Sequence, residues 1–404
     1  MSKTIAIVAT LDTKGEEAQF IRERIEAAGL SAVVINAGVL GEPSFPADVP
    51  RENVAEAGGT SLAQLLSEKD RGKSVATMAQ GAAKVVRELF DAGKVHGIIS
   101  IGGSAGTTIG TSAMRALPVG FPKVMVSTLA SGDTRPYVGI KDITMMYSVV
   151  DIAGLNRLSR RILANAAAAV CAMADAELPP TSEEKPLVAA TMFGVTTPCV
   201  TKARQILEDN GYEVLVFHAT GSGGRAMEDL IESGFISGVL DITTTEWADE
   251  LVGGILTAGP HRLEAAAKKG IPQVVAPGAL DMVNFGPPDT VPEKFKDRKF
   301  YQHNPTVTLM RTTKEENERL GRIIAEKLNA AKGPTTFFYP QQGVSAIDRE
   351  GEPFYDAEAD EAFIASLKAS LNPSVQIVET DNHINDEEFA AALAHSLIEK
   401  LKSA

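Results

Sequence analysis

The chain has 404 residues, 44% hydrophobic and 23% charged, with a formal net charge of -13 at pH 7. That balance fits a globular water-facing protein rather than a disordered one, and the length accommodates two domains of about 150 to 200 residues each. An excess of 52 acidic over 39 basic residues, with no basic stripe interleaved with aromatics, excludes general nucleic-acid binding.

In chain order, "TIAIVAT" (4–10) reads as a buried parallel strand. It meets Asp12 too early for a secretory leader, and no stretch approaches the roughly 20 apolar residues of a membrane helix, so a cytoplasmic protein without membrane contact is expected. "KGEEAQFIRERIEAAG" (14–29) reads as a helix with Phe20, Ile21 and Ile25 on one face and Gly29 closing it. "SAVVINAG", "VHGIISIGG" and "FPKVMVSTLASG" repeat the pattern of an apolar run ending in small or polar residues. Strands of an open α/β sheet end in this way, at the edge where ligands bind. The alanine-rich run from Asp151 to Ala176 reads as one long helix, and "ELPPTSEEKP" reads as a linker. A boundary between Leu178 and Lys185 divides the chain into a nucleotide-binding α/β domain (1–180) and a second α/β domain (185–404) with a Gly-rich anion or substrate loop.

The second half repeats the layout of the first. "KPLVAATMFGVTTPCVTKARQILEDNGYEVLVFHATG" follows "KTIAIVATLDTKGEEAQFIRERIEAAGLSAVVINAG" in its order of strand, polar turn, helix, Gly, strand and Gly. Gly93 then corresponds to Gly234, Gly97 to Gly238, Gly120 to Gly270 and Pro122 to Pro272. The expected fold is two tandem Rossmann-like, doubly wound parallel-sheet domains related by internal duplication.

Candidate chemistry lies at the strand ends. "IGGSAGT" joins a strand to a helix through Gly102, Gly103 and Ser104, with Thr107 one turn on. Such a turn permits close backbone approach while amides and the helix dipole converge on an anion. It is neither a Walker A loop nor a GxGxxG fingerprint, and a tight turn packed under a helix reads equally from spacing. "ATLDTKGE" adds Thr10, Asp12, Thr13 and Lys14, where Lys14 supplies a cation and Asp12 can order a magnesium ion through water. "STLASGD" adds Ser131, Gly132 and Asp133. Together they suggest a nucleotide-sized cleft. No HxxxH, HExxH or EF-hand spacing occurs, so no dedicated metal site is assigned.

"LDTK", "IGGSAGT", "PKVMVSTLASG", "SVVDIAGLN", "TMFGVTTPCV", "VFHATGSGGRAMEDL", "GVLDITTTE", "GALDMVNFGP" and "HINDEEFA" carry a resemblance over almost the whole chain. They resemble an uncharacterised protein family that includes the amino-terminal ATP-binding domain of the tomato mosaic virus resistance protein. The resemblance implies two Rossmann-like domains, ATP binding in the first and a homodimer. It carries the nucleotide site to Thr10, Asp12, Gly102, Gly103, Ser104 and Thr107. The antiviral role is not carried over.

The second domain offers no fixed nucleophile and base pair, so its catalytic residues stay open among His218, Arg225, Asp241, Glu246, Asp281 and His383. The Gly-rich turn after His218 and Thr220 could seat an anion with Arg225. Thr243, Thr244, Thr245 and Glu246 read either as site residues or as a helix start with a capping box. His303 and His383 read more readily as structural or capping histidines, and Cys171 and Cys199 as buried thiols. The expected function is an ATP-dependent enzyme acting on a small acidic or phosphorylated metabolite at a cleft between the domains, with magnesium carried in by the nucleotide. The alternative is a nucleotide-responsive protein-binding module without catalysis.

Overall fold

The computed structural model describes residues 2–177 and 184–403, so most of the expected boundary, Leu178 to Lys185, lies outside the described residues. The chain divides into two compact units, Met1–Pro180 and Thr181–Ala404.

Unit 1 runs β1 (Thr4–Ala9), α1 (Gly15–Ala27), β2 (Ser31–Asn36), α2 (Arg51–Ala57), α3 (Leu62–Glu68), α4 (Arg71–Asp91), β3 (Gly97–Gly102), α5 (Ser104–Arg115), β4 (Lys123–Ser127), α6 (Arg135–Val138), β5 (Thr144–Tyr147) and α7 (Arg157–Asp175). Its five strands are parallel in the order β2-β1-β3-β4-β5. Alternate residues of a strand face opposite sides, so β1 must be apolar throughout to be covered twice. Ile5 and Ile7 pack with Ile21 of α1 and Val170 of α7 on one face. Ala6 and Val8 pack with Met78 of α4 and Ile109 of α5 on the other. The helix expected from Asp151 begins six residues later, because Asn156 caps it: its side chain accepts from Leu158 N and Ser159 N, and Ser159 answers in a capping box. The alanine-rich run of α7 is spent inside the unit, with Ala166, Ala167, Val170 and Cys171 all in the core.

Unit 2 runs β6 (Leu187–Met192), α8 (Thr197–Asp209), β7 (Glu213–His218), α9 (Ser222–Glu232), β8 (Gly238–Thr243), α10 (Glu246–Val252), α11 (Ala265–Lys269), β9 (Gln273–Gly278), β10 (Met282–Phe285), β11 (Phe300–Asn304), β12 (Val307–Arg311), α12 (Lys314–Asn329), β13 (Thr335–Pro340), α13 (Ala357–Ser370), β14 (Gln376–Thr380) and α14 (Glu387–Ser403). The main sheet is β14-β13-β9-β8-β6-β7, parallel throughout, and β10, β12 and β11 form a small antiparallel sheet. Read from β7, the order of the first five strands in chain sequence is 2-1-3-4-5, the order of unit 1.

The expected correspondences recur as backbone geometry. Gly93 and Gly234 have φ of 65° and 82°, and Gly120 and Gly270 have φ of 85° and 73°, each in the connection from a helix to the next strand. Ile98 N donates to Pro122 O and Val239 N to Pro272 O, both at 2.9 Å. Among the described residues no helix is long and apolar enough to cross a membrane. Both cysteines are free and buried; burial raises both thiols' pKa, so Cys199 is no thiolate at its helix start.

Candidate functional site

In a 2-1-3-4-5 sheet the connections leaving β1 and β3 diverge, and a crevice opens outside their carboxyl ends. Unit 1 has a cavity of about 850 Å³ there, within the range that holds small-molecule ligands. Its polar end is built by the turns after β1 and β3, and its wall by α3, α4 and the chain after β2.

The Gly-rich turn is two devices in one stretch. A Cβ on Gly110 would stand 2.2 Å from Ser100 Oγ, and one on Gly102 would stand 2.7 Å from Gly106 Cα. These glycines let α5 lie directly on β3, so their reason is packing. Gly103 differs: the nearest atom to an added Cβ is Thr128 Oγ1 at 3.6 Å. As the N-cap of α5 it supplies no side-chain acceptor, and the first helical bond runs from Thr107 N to Gly103 O. The amides of Ser104, Ala105 and Gly106 therefore face the cavity without a side-chain cap, at the positive end of a twelve-residue helix.

The other expected residues divide. Thr10, Asp12, Thr13 and Lys14 line the cavity with Gly102, Gly103 and Ser104. Thr10 and Thr13 pair through their hydroxyls at 2.8 Å, and Lys14 Nζ donates to Ile152 O. Asp12 Oδ2 accepts Leu40 N at 2.8 Å and Gly41 N at 3.3 Å, while buried Oδ1 has no protein partner. Thr107 is a correction: it is fully buried, and its hydroxyl meets Ser127 Oγ at 2.7 Å instead of facing the cavity. Ser131 and Gly132 follow β4 and do not line the cavity. The apolar wall of Leu65, Leu66, Val75, Met78 and Ile109 escaped the sequence reading, because α3 and α4 reach the site only through the long β2–β3 connection.

In unit 2 the equivalent edge is filled by the chain itself. Glu246 Oε1 accepts Gly221 N at 2.7 Å and Gly224 N at 3.0 Å, so the turn expected to seat an external anion holds an internal carboxylate. Arg262, 1% exposed, neutralises that carboxylate at 2.7 Å and grips Asp241 at 2.5 and 2.7 Å. Burial alone would lower the Arg262 pKa, but Asp241, Glu246 and Glu228 hold it well above its ordinary value. Thr245 and Glu246 do begin a helix, with Thr245 the N-cap of α10, but without the side-chain bond of a capping box. Arg225 returns to its own turn through Gly221 O at 3.2 Å, and His218 meets Phe193 edge-on.

Asp281 and His383 meet through Ser345. Ser345 Oγ donates to Asp281 Oδ2 at 2.8 Å, and its carbonyl lies 2.8 Å from His383 Nε2. His383 Nδ1 accepts Asn385 N at 3.2 Å, which leaves the proton on Nε2, and burial lowers its pKa. It is therefore a locked neutral histidine. Around Arg311 stand Asp360 at 2.7 Å and Asp348 at 3.5 Å. Burial pushes Asp281 to about 6 and Asp348 and Asp360 to about 7. Among the described residues no group of three His, Cys, Asp or Glu is arranged to hold a metal ion.

Residues 3–179 match the N-terminal domain, and residues 185–401 the C-terminal domain, of the Uncharacterised protein family (UPF0261). The chain belongs to that family. A UPF0261 protein of Clostridium tetani is 61% identical, with 100% of each chain covered. The ToMV resistance protein Tm-1(GCR237) of Solanum lycopersicum is 42% identical over 98% of this chain and 56% of its own length. The ToMV susceptible protein tm-1(GCR26) of the same plant matches with the same identity and coverage. Resistant and susceptible forms thus resemble this UPF0261 chain equally, and the likeness is one of family, not of resistance. The cavity lies wholly within the N-terminal family domain, and the Arg262 network wholly within the C-terminal one.

Proposed function

We propose that this UPF0261 protein binds ATP in the cavity of unit 1, with phosphate on the amides of Ser104, Ala105 and Gly106. The nucleoside lies against Leu65, Leu66, Val75 and Met78. One observation carries the reading: a single cavity at the β1/β3 switch point joins an uncapped helix N-terminus to an aliphatic wall. The amides match the anionic end of a nucleotide, and the wall matches its flat, weakly polar base. ATP in particular is what the sequence resemblance implies. Asp12 Oδ1, buried and without a protein partner, is the oxygen that fits the water shell of a nucleotide-borne magnesium ion.

The reaction of an ATP-dependent enzyme on a small acidic or phosphorylated metabolite has less support in the geometry than the binding step. Asp241 and Glu246 are both ion-paired with Arg262, and His383 is locked. The alternative of a nucleotide-responsive binding module is favoured by Asp12. It lines the cavity and also holds the loop whose Leu40 is 79% exposed, so a ligand drawing on that carboxylate alters a surface. A homodimer, also implied by the resemblance, has apolar surface to use in Tyr147, Val149 and Val150, at and just beyond the edge strand β5. Calorimetric titration of ATP, with and without magnesium, into wild type and Gly103→Val tests the binding step. Equal affinity of the two proteins would place the nucleotide elsewhere.

A further inference from the structure

The cavity has a second positive feature that the nucleotide reading does not use. Lys69 and Arg71 line it from the α3–α4 turn, and their side chains have no hydrogen-bond or ion-pair partner among the described residues. In a chain of net charge -13, they put two free cations on one cavity rim. Asp70 between them is already engaged: Oδ1 accepts Lys73 N at 3.0 Å as the cap of α4. The neighbouring Lys73 is paired with Glu68 at 2.7 Å. Lys69 also holds a left-handed conformation, φ 54° and ψ 24°, at a helix C-cap. Gly or Asn takes that conformation at lower cost than lysine.

α4 and α5 each precede a strand of the parallel sheet and run in the same direction, so the α3–α4 turn and the start of α5 come to the same end of the unit. Lys69, Arg71, Ser104, Ala105 and Gly106 all line the cavity, so two anion-binding features stand on it. The ordinary acidic residue that Rossmann folds place after β2 to hold a ribose is missing too: Asn36 stands there, its Oδ1 taken by Leu11 N at 3.2 Å and Gly38 N at 2.9 Å. The carboxylates that do line the cavity each hold backbone amides, Asp12 those of Leu40 and Gly41 and Asp70 that of Lys73.

Resting on the nucleotide reading, we infer that the preferred ligand is an adenine nucleotide with a second phosphate on its ribose. Its 5′-phosphates lie on the α5 amides and its ribose phosphate lies between Lys69 and Arg71. A 3′-phosphate belongs to coenzyme A-type molecules and a 2′-phosphate to NADP-type molecules; the shared chemistry is the phosphorylated ribose. The test is calorimetric titration of AMP, adenosine 3′,5′-bisphosphate, adenosine 2′,5′-bisphosphate and ATP into wild type and the double variant Lys69→Asn/Arg71→Gln. Asn keeps the left-handed position unstrained, and both side chains are exposed, so folding is not at stake. One bisphosphate should bind at least about tenfold tighter than AMP, the gain from a charge-assisted contact. The double variant should erase that gain while ATP affinity changes less than about twofold. Which isomer gains identifies the source. If ATP binds and responds to Gly103→Val, but neither bisphosphate gains over AMP or the gain survives in the double variant, this inference falls and the nucleotide reading stands. If none of the four probes binds, both fall.

Discussion

Gly103→Val separates the two roles of the Gly-rich turn. At Gly103 the backbone is extended with a negative φ (φ -82°, ψ -152°), and an added Cβ would have 3.6 Å to Thr128 Oγ1. The variant should fold, losing about 1 kcal/mol because valine is a poor N-cap, a melting shift of about 2 to 4 °C for a unit of this size. Gly103 lines the cavity beside the α5 amides, however, and the added methyl groups should crowd a phosphate there. Two charge-assisted amide–phosphate bonds at about 1.5 kcal/mol each amount to about 3 kcal/mol, or a rise of roughly 150-fold in the Kd for ATP. Gly110→Val is the control with opposite behaviour. Its Cβ would sit 2.2 Å from Ser100 Oγ, so α5 must leave β3, and stability should fall by about 1 to 3 kcal/mol. Calorimetry and thermal melting on the same preparations read both quantities. A Gly103→Val protein that melts near wild type and binds ATP equally well would refute the placement of phosphate on this helix.

Asp12→Ala should weaken ATP binding more with magnesium than without. It should also speed proteolysis between residues 38 and 50, because Leu40 N and Gly41 N lose their acceptor; identical cleavage rates would remove Asp12 as the loop's anchor. Arg262→Ala leaves Asp241 and Glu246 buried without a counter-charge, and urea unfolding should register a loss of about 3 to 5 kcal/mol. A loss below about 1 kcal/mol would contradict the role of Arg262 as their buried counter-charge. Asp281, Asp348 and Asp360 have folded pKa values of about 6 to 7, above the 3.8 of the free group. The folded state therefore holds protons that the unfolded chain has released, and stability is greatest below about pH 4 for these groups. It is lost as pH rises from there through 7. Asp348→Asn should flatten that decline between pH 5 and 8 in denaturant titrations, and an unchanged slope would contradict the assignment.

The βα units were legible because each strand is covered on both faces and must be apolar along its length, as "TIAIVA" and "GIISIG" are. The sheet edge carrying the turns followed from the same pattern. Which glycines serve packing and which serve a ligand was not legible, since Gly102, Gly103, Gly106 and Gly110 differ only in what lies opposite them in space. Thr107 looked like a ligand hydroxyl because local spacing cannot reveal Ser127, twenty residues on. Arg262 drew no notice in "PHRLEAAAKKG". Its three acidic partners come from three other elements, 16, 21 and 34 residues away. The Gly221 turn looked vacant for the same reason: Glu246, which fills it, begins the helix after the next strand, 25 residues on.

The amides at the start of α5 give the most direct test of the proposed nucleotide site. In the free protein Ser104, Ala105 and Gly106 lack an intrahelical acceptor and should exchange with solvent deuterium quickly. Hydrogen exchange resolved to single residues, with and without saturating ATP and magnesium, should show these three amides slowed at least about tenfold, with slower exchange in the α3–α4 turn and no change at Gly221 to Gly224. Protection confined to unit 2, or unchanged exchange at Ser104 to Gly106 in protein that calorimetry shows to be nucleotide-bound, would contradict the account.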